Sequence, residues 1–283
     1  MEPMGIDGEG EQLWARVPLA LEVPDRMRGA AVDVLAGEYE SGYSGRELTV
    51  VDIGANVGAF AVWATMRWPG STVHAYEPHP GTFEMLARNA RRFPGIVCHP
   101  QAVYPGQAEQ QPFYARYPGD GEGAMVPCAA RTFAHLEPEN IRPVAVIAPE
   151  RVPSCDVLKI DVEGAEADIL EALNLEGVSL ILLEYQNAEN RRRIRARLGD
   201  GYVCEHEDSS PWSAILPGRG YRSDLAGDEW GHLFFARRAG NTLRKVRLPE
   251  SAAPRAPTLR QLLTGLPAAA GNAIRHRLRR WSV

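Results

Sequence analysis

Residues 48–58 read LTVVDIGANVG, and this stretch decides the fold. Leu48 to Ile53 is an apolar, β-branched run long enough for a buried strand, and Val57 to Arg67 continues at helical spacing until Pro69-Gly70. Gly54 and Gly58 lie where strand meets helix. Glycine lets the backbone turn tightly and approach a ligand, and the start of a helix offers free N–H groups. A dinucleotide-binding loop usually reads GxGxxG. The spacing here is G-x-N-x-G, with Asn56 at its centre and Asp52 two residues before the first glycine. That carboxylate suits a cationic or amine-bearing ligand better than a pyrophosphate. A purely structural turn could use two glycines as well.

Working outward, the same alternation repeats. Thr72 to Tyr76 reads as a second strand and ends at Glu77, followed by Pro78-His79-Pro80 and a helix to about Arg92. An acid closing the second strand is placed to grip ribose hydroxyls, although a nicotinamide-dinucleotide fold uses an acid in the same place. A third strand, Ile96 to His99, precedes a Pro- and Gly-rich segment without clear period. Within it Gln111 to Tyr117 and Ala124 to Cys128 read as a hairpin. The alternation resumes with strand Asp156–Ile160, helix Gly164–Leu173, strand Val178–Leu183 and helix Ala188–Leu198. Strands at Tyr202–Glu205 and Leu233–Ala236 close the pattern. Such alternation predicts an α/β fold, a doubly wound and largely parallel sheet covered on both faces.

The second informative stretch is LKIDVEGAE, residues 158–166. Ligands of open α/β sheets lie beyond the carboxyl ends of the strands, so Asp161 is placed to face the reactive end of a ligand. Lys159 is one of only two lysines in the chain and points to the same face. Buried lysine needs a partner, and Asp161, Glu184 or Glu166 is expected to supply it. Glu163 and Glu166 could simply complement a helix dipole.

These residues carry a resemblance. VDIGANVGAF, AYEPHP and LKIDVEGAE, in this order and spacing, resemble the FkbM family of S-adenosylmethionine-dependent methyltransferases over roughly Glu38 to Ala236. The resemblance implies the class I methyltransferase sheet, Rossmann-like, with seven strands and the last antiparallel. It implies methyl transfer, most often to hydroxyls of polyketides, sugars and other secondary metabolites. Residues Asp52, Gly54, Asn56 and Gly58 would then hold the methionine part of the cofactor S-adenosyl-L-methionine. Glu77 and Pro78 would hold its ribose, and Asp161 would sit at the methyl-transfer end.

With the last strand reversed, both ends of residues 206–232 fall on the ligand rim. That insert holds His206, Asp208, Trp212, Tyr221, Asp224, Trp230 and His232 and reads as an acceptor lid, with His206 as a candidate general base. Glu184 ends the fifth strand beside Asp161. Together with Gln186 and Asn187 these oxygens could ligate Mg²⁺. A hydrogen-bonding pair for the acceptor hydroxyl is simpler, and no metal is assigned.

Three segments are expected: a helical N-terminal cap over 1–47, a catalytic domain over 48–240, and a basic helical tail over 241–283. Residues 101–152 and 207–231 of the domain read as substrate-side insertions. The net charge of −5 is uneven. From Asn241 onward nine basic residues face one acid, Glu250, so the tail carries +8 and the remainder −13. So acidic a body is a poor general nucleic-acid binder. Four dispersed cysteines without a CxxC pair favour free thiols. No stretch approaches the roughly 18–20 apolar residues of a membrane span, and the acidic start lacks the order of a secretion signal, so a cytoplasmic protein is expected. A small-molecule acceptor follows as partner, and the tail could support a homo-oligomer. The alternatives are an N- or carboxyl-methyltransferase, an NAD-dependent oxidoreductase, and a non-catalytic cofactor-binding protein.

Overall fold

The computed structural model describes residues 21–132, 135–211 and 229–238. The insert residues Trp212, Tyr221 and Asp224 and the basic tail from Asn241 lie outside these. The chain divides into two units, one spanning Ser41–Arg244 and the other including residues 1–40. Of the latter, the described part holds a 3-10 turn, Asp25–Met27, and helix α1, Arg28–Leu35.

The larger unit is built on β1 (Thr49–Ile53), β2 (Thr72–Tyr76) and β3 (Ile96–His99), alternating with α2 (Ala59–Arg67) and α3 (Pro80–Ala90). An intervening segment carries β4 (Ala102–Val103), β5 (Gln110–Tyr114), β6 (Ala124–Met125), α4 (Val126–Thr132) and β7 (Ile141–Ile147). Then come β8 (Val157–Ile160), α5 (Glu166–Ala172), β9 (Leu180–Tyr185), α6 (Ala188–Leu198), β10 (Tyr202–Glu207), β11 (Ser210–Pro211) and β12 (Glu229–Arg237).

The main sheet runs β10-β12-β9-β8-β1-β2-β3, with the short β11 paired to β12. β1, β2, β3, β8 and β9 pair in parallel, and β12 is antiparallel to both β9 and β10. This is the seven-strand class I methyltransferase order with the last strand reversed, as expected. All four residues of β8 are buried, as are five of six in β9, because helices cover both faces. Leu158, Ile160, Ile181 and Leu183 from these strands lie at the centre of the core.

The segment after β3 departs from expectation. Gln110–Tyr114 and Ala124–Met125 do pair as antiparallel strands, but Val126 starts a helix instead of extending the second strand. β7 escapes a reading of the sequence because Pro143 interrupts it, and proline demotes a run as a strand. Here Pro143 faces Pro112 of β5, while β4 pairs only Val146 and Ile147, and β6 only Phe113 and Tyr114. No ladder bond is therefore lost at either proline. The result is a second sheet, β4-β7-β5-β6. Among the described residues no helix is long and apolar enough to cross a membrane.

Candidate functional site

The carboxyl ends of β1, β2 and β8 open onto a cleft of about 670 Å³, its mouth included. Its floor is the turn after β1. Gly54 has φ +83°, and a Cβ there would fall 1.8 Å from the Asp161 carbonyl oxygen, so this position admits glycine alone. Gly58 has φ +89° and caps the start of α2, where a Cβ would press on Leu86. Between them Asn56 takes a left-handed φ of 47° and lines the cleft.

Asp52 does not line the cleft. It is fully buried, and directly across the ladder from it stands Lys159, whose Nζ lies 3.1 Å from Asp52 Oδ1 and 3.4 Å from Asp161 Oδ2. The ammonium also donates to the Gly54 carbonyl at 2.8 Å. Burial works against its charge, but Asp52 and Asp161 outweigh burial and hold Lys159 protonated. The expected pairing of Lys159 with Asp161 is present. The pairing with Asp52 departs from the expected set, and it places that carboxylate against Lys159, behind the cleft and not on its wall. Strand register explains this, because residues facing each other across parallel strands share a face.

Glu77 lines the cleft at the end of β2. The Asn56 amide donates to its Oε2 at 3.1 Å and the His79 amide to its Oε1 at 2.8 Å. Burial pushes its carboxyl up to about 7 despite these donors. His79 caps α3, its Nδ1 accepting from the Thr82 amide, with Pro80 in the first turn. Asn56 Oδ1 and His79 Nε2 are buried without a protein partner, on residues that line the cleft.

The second sheet supplies the opposite wall through Phe113, Ala115 and Met125. Asp120, Gly121 and Gly123 extend it in the loop that follows β5. Arg116 pairs with both Asp120 and Glu122 within this loop, and the Gly119 amide donates to Thr82 Oγ1 at 2.7 Å, tying the loop to α3.

The turn after β8 brings Asp161, Val162 and Glu163 to the cleft. Glu166, fully buried, shapes this turn: its Oε1 accepts from the amides of Gly164 at 2.9 Å and Val162 at 3.2 Å, and Asn190 donates to its other oxygen. It acts through the backbone, whereas Glu163, with φ 59°, stands on the wall itself. Asp161, Glu163 and Glu184 each place a carboxylate oxygen within 4.8 Å of the others. Burial and this crowding push Asp161 up to about 6 and Glu163 well above the usual carboxylate range. Burial also works to raise Glu184, but the nearby His232 ring and the hydrogen bond from Gln186 outweigh it and hold Glu184 low.

Of the expected site residues, Gly54, Asn56, Glu77, Pro78 and Asp161 line the cleft. Glu184 adjoins Asp161 without lining it. His206 does not line the cleft: it pairs with Asp208 at 3.3 Å and packs on Phe234. The histidine that reaches the carboxylates is His232, buried on β12 and 3.5 Å from Glu184 Oε2. No local pattern distinguishes it from His206. Glu163 was equally hidden, since its left-handed backbone is a tertiary outcome, while His79 could have been found from its position before Pro80 and Thr82.

Comparison with known proteins finds relatives of this chain. A model of the methyltransferase FkbM domain matches residues 52–223. Methyltransferase 1 of Beauveria bassiana is 29% identical over 154 residues, covering 47% of this chain and 61% of its own. The hexuronic acid methyltransferase AglP of Haloferax volcanii is 28% identical over 141 residues, 47% of this chain and 54% of its own. The 31-O-demethyl-FK506 methyltransferase FkbM of Streptomyces tacrolimicus is 30% identical over 149 residues, 43% and 57% respectively. The chain thus matches between half and two thirds of the length of these relatives. Among solved structures, precorrin-6y C5,15-methyltransferase of Geobacter metallireducens has a TM-score of 0.41 at 14% identity, over 77% of this chain and 93% of that one. That likeness is too distant to bear on function.

Proposed function

The chain belongs to the FkbM methyltransferase family, and from that premise we propose that it transfers a methyl group from S-adenosyl-L-methionine to a hydroxyl of a small-molecule secondary metabolite or sugar. The observation that carries the reading is the junction of the Gly54–Gly58 turn, Glu77 and Asp161 around one cleft.

The residues present fit that cofactor. The missing Cβ of Gly54 lets the turn after β1 close against the Asp161 carbonyl at the cleft, Glu77 offers free lone pairs to a ribose diol, and Asn56 Oδ1 and His79 Nε2 await partners. Gly54, Asn56 and Gly58 would hold the methionine part, Glu77 and Pro78 the ribose, and Asp161 the reacting end. When bound, the cofactor supplies an electrophilic methyl group. The protein's share is alignment, exclusion of water, and a carboxylate at the acceptor proton. Segments 101–152 and 207–231 would shape the acceptor side of a catalytic domain spanning 48–240, flanked by the cap over 1–47 and the basic tail over 241–283. The 31-O-demethyl-FK506 relative favours oxygen as the acceptor atom. The acidity of the body favours a small acceptor over a polynucleotide.

Titration calorimetry tests the cofactor: S-adenosylhomocysteine binds and NAD does not. Glu77→Ala weakens the binding at least about tenfold, or roughly 1.4 kcal/mol. Unchanged affinity in the folded variant, or preference for NAD, overturns the assignment. With methyl-labelled cofactor and a panel of sugar and polyketide alcohols, a base-stable product marks an ether. A base-labile product marks a carboxyl ester and would move the acceptor to a carboxylate.

A further inference from the structure

A row of ionisable side chains crosses the carboxyl edge of the main sheet. His232 on β12 faces Glu184 on β9 in register, and residues so placed share a face. Asp161 follows the Ile160–Leu183 pair by one step, level with Glu184. Beyond His232 stands Asp208, just past the end of β10. The row therefore runs Asp161, Glu184, His232, Asp208, from the cleft to the half-exposed rim.

Its outer half is rigidly held. The His232 ring has Nδ1 3.3 Å from both Asp208 oxygens and Nε2 3.5 Å from Glu184 Oε2. The His232 amide also donates to Asp208 Oδ1 at 2.8 Å, and the Asp208 amide to the His232 carbonyl at 3.2 Å. Tyr185 donates its hydroxyl to the Asp208 carbonyl at 3.1 Å. Gly231 packs flush on the same carbonyl, where a Cβ would come within 2.1 Å. Trp230 and Phe234 meet the imidazole edge-on. A ring so confined is built to hold one orientation.

Three carboxylates within 4.8 Å cannot all stay ionised, and a base must be the one that does. Lys159 serves Asp161 but is shared with Asp52 and the Gly54 carbonyl. Glu163 is pushed up by burial and by the acids around it, Glu184 and Asp161 foremost. Of the three, Glu184 alone lies within ion-pair distance of the His232 ring. We propose that His232 is a positioning residue for methyl transfer and that, braced by Asp208, it fixes Glu184 as the carboxylate that takes the acceptor's proton. This rests on the methyltransferase reading. In the step, the acceptor oxygen gains the methyl carbon and the carbon–sulfur bond breaks with its electron pair left on sulfur. The hydroxyl proton passes to Glu184, leaving an ether and a neutral thioether.

The test needs no acceptor. Protein carrying ¹³C at glutamate carboxyl carbons is titrated by NMR with and without S-adenosylhomocysteine, the Glu184 signal being assigned by Glu184→Gln. Groups facing Glu184 are Asp161 and Glu163 from the turn after β8, Lys159 from β8 and His232 from β12; His206 lies beyond, on Asp208. Glu184 is expected to titrate below the ordinary glutamate range, and His232→Gln to raise its proton affinity about tenfold or more. S-adenosylhomocysteine affinity should change less than about threefold. Asp208→Asn produces a smaller rise in the same direction and serves if His232→Gln does not fold. A Glu184 titration that neither variant moves overturns the proposal. If S-adenosylhomocysteine fails to bind the wild type, the methyltransferase reading falls and this proposal with it; an unmoved Glu184 titration in protein that binds S-adenosylhomocysteine overturns this proposal alone.

Discussion

The Nζ of Lys159 lies 3.1 Å from Oδ1 of Asp52, and both side chains are closed off from water. A buried ion pair adds little when intact, but removing one partner strands the other charge. Lys159→Met is therefore expected to cost about 3–5 kcal/mol, lowering the melting temperature by on the order of 10 °C. Adding Asp52→Asn recovers part of that loss, because the coupled pair is non-additive. Scanning calorimetry of the two single variants and the double variant checks this. Additive losses would mean that the pair does not support the glycine turn.

Gly54→Ala tests the turn itself. The new Cβ would meet the Asp161 carbonyl at 1.8 Å on a backbone already at φ +83°. The variant is expected to lose at least about 2 kcal/mol and S-adenosylhomocysteine binding with it. Wild-type affinity would show that the turn relaxes without consequence.

The raised carboxyls of Glu77 and Glu166, both about 7, and of Asp161, about 6, dictate a pH dependence of stability. A carboxyl raised in the fold binds more protons folded than unfolded between its two pKa values, so stability falls as pH rises through that window. The ligand-free protein should melt highest near pH 5 and lose stability toward pH 7 and above. Glu77 accounts for about 3 kcal/mol of that loss on the order-of-magnitude rule of 1.4 kcal/mol per pH unit. Glu77→Gln flattens the slope. S-adenosylhomocysteine affinity should rise over the same interval, since ribose hydroxyls donate to the ionised form. A melting temperature that climbs from pH 5 to 7 would contradict this.

Thr82→Val removes the hydroxyl that receives the Gly119 amide while keeping the side-chain shape. The amide, left without its partner, costs about 1–3 kcal/mol. Part of this should appear as weaker S-adenosylhomocysteine binding, because the Arg116–Asp120–Glu122 loop is tied to the cleft there. Calorimetry reads the effect. Equal affinity would separate the loop from the cofactor.

With no metal assigned to Asp161, Glu163 and Glu184, saturating Mg²⁺ should leave the melting temperature unchanged. A cation that binds the folded form alone must raise it. A rise reversed by EDTA and absent in Glu163→Gln would place a metal among the three acids.

The sheet was legible in the sequence because burial on both faces leaves a continuous apolar run, and each run ends in a turn with its own chemistry. LTVVDIGANVG, Thr72–Tyr76 and LKIDVEGAE carried both fold and family, and Glu77 and Asp161 were placed by their positions at strand ends. Two things were decided only by tertiary structure. One is which carboxylates face the cleft: Asp52, two residues before Gly54, is turned inward by its register with Lys159, while Glu163 is turned outward by a left-handed backbone. The other is which histidine reaches them. His206 and His232 look alike in sequence, and the antiparallel pairing of β12 with β9 sets His232, not His206, opposite Glu184. Local pattern specifies period and termini, but register between strands distant in sequence is a property of the folded sheet, and at this site register assigns the chemistry.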